Sequence, residues 1–169
     1  MEELRKSVLS KRDPDKPCIA ICSGMGCLSP NNGRLISAFE EEVSKKDLKA
    51  KVDIRATGCH GYCEKGPLVV IYPEEICYVE VMPKDVPEIV SQTVLGKKVI
   101  DHLVYADPDT GEKAAHLSEI PFYKNQMRNI FGSNTKIDPG SIDDYLAVGG
   151  YSALSKSLLE MSLRKFLKK

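Results

Sequence analysis

The sequence predicts an α/β fold, a four-stranded mixed sheet flanked by helices, and three observations carry that expectation. Apolar or alternating runs of strand length recur at residues 18–22, 51–56, 68–72 and 76–81. Two longer stretches, 33–46 and 84–95, space their apolar residues three to four apart, the period of a helix with one buried stripe. The order strand, helix, strand, hairpin, helix then restricts the topology. A strand–helix–strand unit prefers parallel strands and a right-handed crossover, and the two strands that follow complete the sheet in antiparallel fashion.

Taken in order, the first fifteen residues are rich in charge and end at the turn Asp13-Pro14-Asp15, so residues 1–16 read as an arm or a short surface helix. Cys18-Ile-Ala-Ile-Cys22 is continuously apolar, as a buried strand is. The helix after it presents Leu35, Ile36, Phe39 and Val43, with Asn31 or Asn32 as its cap. Residues 51–56 alternate, the signature of a strand with one buried face. Residues 68–72 and 76–81 are β-branched and aromatic, and Pro73-Glu74-Glu75 between them makes a hairpin. The second helix carries Val86, Ile89, Val90 and Val94, tolerates Pro87 within its first turn and stops at Gly96.

These elements define a domain over residues 17–98, a usual size for one core. Residues 99–136 read as a linker: a short strand at 100–105, a turn at Asp107-Pro-Asp-Thr-Gly111, and a run from His116 to Ile130 extended along a surface. Residues 137–169 form a C-terminal helical segment broken at Gly149-Gly150. Its stripe of Leu154, Leu158, Met161 and Leu167 has too little chain around it for a core of its own and calls for a partner.

Composition narrows the function classes. The 169 residues are 42% hydrophobic and 28% charged with zero formal charge, values of a soluble globular protein without the basic footprint of a nucleic-acid binder. No apolar run approaches the roughly 20 residues that span a membrane. Met1-Glu-Glu-Leu-Arg-Lys-Ser lacks the apolar stretch of a secretory signal, which points to the cytoplasm. In that reducing compartment, clustered cysteines more often bind metal or do redox chemistry than pair as disulfides.

Six cysteines are present. Cys18 and Cys77 stand inside strand-like runs, where the residue behaves as a small hydrophobe. The other four form two pairs, Cys22-x4-Cys27 and Cys59-x3-Cys63, each in a loop that leaves the carboxyl end of one of the first two strands. Adjacent parallel strands end at the same edge, so both loops can meet there. Structural zinc commonly uses C-x2-C knuckles, and a thioredoxin-type dithiol uses C-x-x-C; neither spacing occurs. Two separated pairs also differ from the compact run of bacterial [4Fe–4S] ferredoxins. The spacing favours an iron–sulfur centre while leaving a single zinc, or unligated thiols, open. Gly24, Gly26, Gly58 and Gly61 allow close approach and leave backbone N–H groups to face the sulfurs, a lever on cluster charge and potential. His60 is read as a loop residue: a Rieske-type centre needs two histidines, and His102 and His116 have no matching spacing.

At this point a family resemblance enters. Thr57-Gly-Cys-His-Gly-Tyr-Cys-Glu-Lys-Gly-Pro-Leu-Val-Val-Ile-Tyr-Pro73, with Cys22-x4-Cys27 upstream, resembles the thioredoxin-like [2Fe–2S] ferredoxin domain. It looks in particular like the version at the front of the NADH-binding flavoprotein subunit of NAD-linked hydrogenases and complex I-like oxidoreductases. Ile120-Pro-Phe-Tyr-Lys-Asn125, Ile137-Asp-Pro-Gly-Ser-Ile-Asp-Asp-Tyr-Leu146 and Gly149-Gly-Tyr-Ser-Ala-Leu154 are similar to the segment leading into that family's flavin domain.

The resemblance implies a thioredoxin-like fold with Cys22, Cys27, Cys59 and Cys63 as ligands of a [2Fe–2S] cluster. It further implies single-electron transfer as a module of an NAD(P)H-linked oxidoreductase or hydrogenase complex. The sequence given ends at Lys169, before any glycine-rich flavin or nicotinamide loop. FMN and NAD(P)H would therefore sit on a partner chain or a missing C-terminal part, with flavin- and iron–sulfur-containing subunits as partners and no catalysis by this chain alone. A structural zinc-binding or docking subunit is the competing reading.

Overall fold

The structure is a computed structural model that describes residues 1–24 and 32–162, apart from the side chains of Asn32 and Gly33. In chain order the helices and strands are α1 (Glu2–Leu9), β1 (Cys18–Cys22), α2 (Asn32–Lys45), β2 (Asp53–Thr57), β3 (Val69–Tyr72) and β4 (Ile76–Tyr78). A 3-10 turn (Pro83–Asp85), an α-helical turn (Val86–Glu88) and a π-helical stretch (Ile89–Leu95) run on as one helix, α3. Then come β5 (Tyr105–Ala106), β6 (Lys113–Ala114), α4 (Pro121–Lys124), α5 (Ile142–Ala147) and α6 (Ser152–Glu160). The chain forms two compact units, one of residues 14–138 and one of residues 1–13 with 139–169.

The larger unit is built on a sheet of order β2-β1-β3-β4, with β1 parallel to β2 and the other two pairings antiparallel. This is the mixed four-stranded, thioredoxin-like arrangement that the sequence predicts. The pleat sorts side chains to two faces. Ile19, Ile21, Val69, Ile71, Ile76 and Tyr78 point one way, into a core completed by Leu35, Phe39 and Val43 of α2 and by Val86, Ile89, Val90 and Val94 of α3. Ala20, Cys22, Val70 and Cys77 point the other way. Gly96 follows the end of α3, at a position where a Cβ would lie 2.7 Å from the Gln92 carbonyl oxygen and only glycine fits without a shift. The anticipated cap at Asn31 or Asn32 falls on side chains outside those described.

The second face corrects the expected linker. Residues 99–136 are not an extended surface run; they belong to the larger unit and supply its second core layer. Residues 101–103 form a turn rather than a strand, and β5 and β6 then pair across the predicted Asp107–Gly111 turn. This hairpin covers the outer edge of β4: Cys77 N–H donates to the Ala115 carbonyl (2.8 Å) and Val79 N–H to that of Leu103 (2.9 Å). Pairing an otherwise open sheet edge removes a template for association. Beyond it, Leu117, Ile120 and Tyr123 join Ala20, Cys22, Val70 and Cys77 in a second apolar cluster. A strand face of this kind cannot be left in water, and irregular chain with three well-placed apolar side chains suffices to cover it.

The smaller unit brings the N-terminal arm into contact with the C-terminal segment. α1 packs against α5, Arg12 bonds the Asp144 carboxylate (2.5 Å), and Arg5 Nε donates to the Ala147 carbonyl (3.2 Å). Ser141 caps α5 by accepting from the Asp144 N–H at 3.2 Å. The break at the glycines is as predicted: Gly149 has φ +88°, and a Cβ on Gly150 would overlap the Tyr145 ring at 2.3 Å. On α6, Leu154 and Leu158 remain exposed; Leu167 lies outside the described residues.

Candidate metal centre

β1 and β2 run in parallel with Cys22 opposite Thr57, so both cysteine loops depart from one edge of the sheet. Cys22 is the last residue of β1 and only 1% exposed, its N–H donating to the Leu68 carbonyl (3.0 Å). Ser23 ties the start of the first loop to the end of β2: its N–H (2.9 Å) and its hydroxyl (2.6 Å) both donate to the Thr57 carbonyl. Gly24 then rests directly on Cys59. A Cβ at Gly24 would stand 2.7 Å from Cys59 Cβ and 3.0 Å from its Sγ, so only glycine permits this approach. The two loops therefore meet, as their spacing and topology predict.

The second loop is shaped from within. The Thr57 hydroxyl donates to the Ile21 carbonyl at 3.1 Å and lies 3.1 Å from His60 Nε2. His60 is fully buried, and its pKa is lowered to about 4 by burial first and by the Arg128 cation second, which keeps the ring neutral. Gly61 adopts φ +82°, a conformation open to glycine, and its N–H points at Cys59 Sγ at 3.3 Å. Cys59 is half-buried; Cys63 opens a 3-10 turn (Cys63–Lys65) and is exposed. Cys27 lies outside the described residues. Among the described residues no three His, Cys, Asp or Glu side chains converge closely enough to hold a metal ion.

The donor chemistry nonetheless suits an iron–sulfur group. The soft sulfurs are carried by loops that touch, a missing Cβ makes room for one of them, and an N–H donor is already aimed at it. Cys18 and Cys77 stand apart from this edge's loops, in β1 and β4, both buried. Burial in apolar surroundings pushes the Cys77 thiol up to about 12, a poor state for a metal-binding thiolate.

Three residues from outside the two cysteine motifs meet the second loop. Arg128 donates to the His60 carbonyl, Asn134 Nδ2 to that of Cys59 (3.2 Å), and Phe122 stacks on Tyr62 with ring centroids 4.2 Å apart and planes at 4°. All come from residues 99–136, the segment whose sequence reads as a linker. The one available signal was charge: residues 120–137 contain no Asp or Glu and three basic residues.

An α/β unit whose two cysteine loops touch at one sheet edge fits the metal–thiolate class of protein. The family described as thioredoxin-like [2Fe–2S] ferredoxin matches residues 7–94, just over half of the chain. The chain belongs to this family, and it is accordingly a [2Fe–2S] ferredoxin-type electron-transfer protein. It is 39% identical over 77 residues to the "Ferredoxin, 2Fe-2S" of Clostridium pasteurianum, a stretch covering 46% of this chain and 76% of that one. Against the "Ferredoxin, 2Fe-2S" of Aquifex aeolicus it is 34% identical over 79 residues, 46% of this chain and 71% of the other. A solved thioredoxin-like [2Fe–2S] ferredoxin from Aquifex aeolicus superposes with TM-score 0.49 at 26% identity, covering 57% of this chain and 96% of that one. No helix among the described residues is long and apolar enough to cross a membrane.

Proposed function

We propose that Cys22, Cys27, Cys59 and Cys63 hold the [2Fe–2S] cluster, and that the chain relays single electrons as a module of an NAD(P)H-linked oxidoreductase or hydrogenase. The observation that carries the ligand assignment is the contact of Gly24 with Cys59, which brings the first cysteine loop onto the second. When bound, the cluster supplies a one-electron couple. The protein's own residues set its surroundings: β1 anchors Cys22 in the core, the Gly61 N–H favours negative charge on Cys59, and the exposed Cys63 leaves one side of the site accessible to a redox partner.

The larger assembly is supported by the motifs at residues 120–125, 137–146 and 149–154, which resemble the approach to a flavin domain. In this reading FMN and NAD(P)H are held by a partner chain or a further C-terminal part, the complex is cytoplasmic, and flavin- and iron–sulfur-bearing subunits are the partners. The test has two stages. Purified protein is expected to contain two irons and two sulfides per chain and to give an EPR signal on reduction, lost or altered in each of the four Cys→Ser variants. NADH alone should leave its visible absorbance unchanged, and NADH with an FMN-containing NADH-oxidising subunit should bleach it. A colourless, zinc-loaded protein would defeat the ligand assignment. Failure of the flavoprotein to reduce a cluster that dithionite reduces would defeat the assembly.

A further inference from the structure

Residues 120–137 lie beyond the part matched by the ferredoxin family, yet they grip the second cysteine loop at three consecutive residues. The Gly58 N–H donates to the Ile137 carbonyl (3.2 Å), Asn134 Nδ2 donates to the Cys59 carbonyl (3.2 Å), and Arg128 Nη2 donates to the His60 carbonyl. Phe122, stacked on Tyr62, lies beside the same loop: a Cβ on Gly61 would be 3.8 Å from its ring. Arg128 itself is fixed over the Tyr123 ring, 5.1 Å from its centroid.

The bond at His60 has a second end. The carbonyl of His60 and the N–H of Gly61 belong to one peptide group, and this bond is not among the two cis peptides of the described residues. In a planar trans peptide the C=O and N–H point in opposite directions. Arg128 therefore holds the oxygen on one side while the hydrogen on the other side is directed at Cys59 Sγ, 3.3 Å from Gly61 N. A cation on the carbonyl also polarises the peptide, which makes its N–H a stronger donor. Gly61 is the residue that tolerates the resulting φ of +82°.

We propose that Arg128 is a positioning residue for the cluster. It acts through the His60–Gly61 peptide to fix and strengthen the N–H···S bond to Cys59, and so raises the reduction potential. The inference rests on Cys59 being a ligand. Reduction adds negative charge to the thiolate-bound cluster, so a stronger donor and a nearby cation both favour the reduced form.

The test is an EPR-monitored potentiometric titration of the full chain, with iron and sulfide measured in every sample. Arg128→Met is expected to keep its iron and to shift the one-electron equilibrium towards the oxidised form by up to about tenfold, ~59 mV for one electron. Arg128→Lys, which keeps the charge with a single donor group, should recover part of the shift. Lys49→Met removes an exposed cation from the turn that leads into the opposite end of β2 and should leave the potential unchanged. Equal potentials in wild type, Arg128→Met and Arg128→Lys, at full iron content, overturn the inference. If Arg128→Met does not fold, Arg128→Lys decides alone: a smaller shift in the same direction supports the proposal and none refutes it. A Cys59→Ser variant with an unaltered cluster and EPR spectrum would instead overturn the ligand assignment beneath it.

Discussion

The two faces of the sheet are covered in different ways. On one, α2 and α3 lay regular apolar stripes over Ile19, Ile21, Val69 and Ile71, with Leu35, Phe39 and Ile89 fully buried. On the other, irregular chain places Leu117, Ile120 and Tyr123 over Ala20, Val70, Cys77 and the first candidate ligand, Cys22. The helical face contributes stability through these buried contacts. The irregular face joins stability to chemistry, because the segment that buries Cys22 continues into the residues that hold the Cys59 loop.

Substitutions on each face can break that contrast. Phe39→Ala empties a fully buried site between α2 and the sheet and should cost about 3–5 kcal/mol in chemical denaturation. The EPR line shape of the loaded protein should not move, since Phe39 packs on the face of the sheet opposite to the one that holds Cys22. Ile120→Ala should cost about 2–5 kcal/mol on the opposite face. It should also lower iron retention, because the chain it anchors carries Phe122 and Arg128. Equal effects of both substitutions on the EPR spectrum would erase the distinction.

Gly24→Ala sharpens it at the meeting point of the loops. The new methyl would stand 2.7 Å from Cys59 Cβ, so one loop must retreat, at about 1–3 kcal/mol for overpacking. The expected outcome is iron loss out of proportion to the fall in thermal midpoint. Full iron content with native EPR parameters would show that the loops need not touch.

The same contrast explains what could be read from the residues. Leu35, Phe39, Val43, Val86, Ile89 and Val90 recur at helical spacing, and the strand runs alternate or stay apolar, so the sheet and its helical layer were legible. Glycines flanking four cysteines likewise pointed to the candidate site, and Gly24 and Gly61 occupy positions where close approach and positive φ require them. The irregular layer has no period. Leu117, Ile120 and Tyr123 lie three apart, but Glu119 and Pro121 between them break any single face of regular length. Arg128 and Asn134 bond backbone carbonyls, and an acceptor that every residue carries leaves no complementary partner in the sequence.

The smallest effect expected is a gain. Tyr123 is buried in the irregular layer, and its hydroxyl has no hydrogen-bond partner among the described residues. Burial first, and then the neighbouring Cys77, raise its pKa and hold it neutral across the physiological range. A buried hydroxyl without a partner carries a desolvation cost that a hydrogen in its place does not. Tyr123→Phe keeps the ring, its edge contacts with Tyr62 and Phe122, and the face that Arg128 covers. It should therefore stabilise the protein by about 1 kcal/mol, read as a rise in thermal midpoint, while leaving the cluster potential where it is. A lower midpoint would mean that the hydroxyl is bonded through solvent. An altered potential would mean that the layer reaches the cluster by the Tyr123 hydroxyl as well as by Arg128.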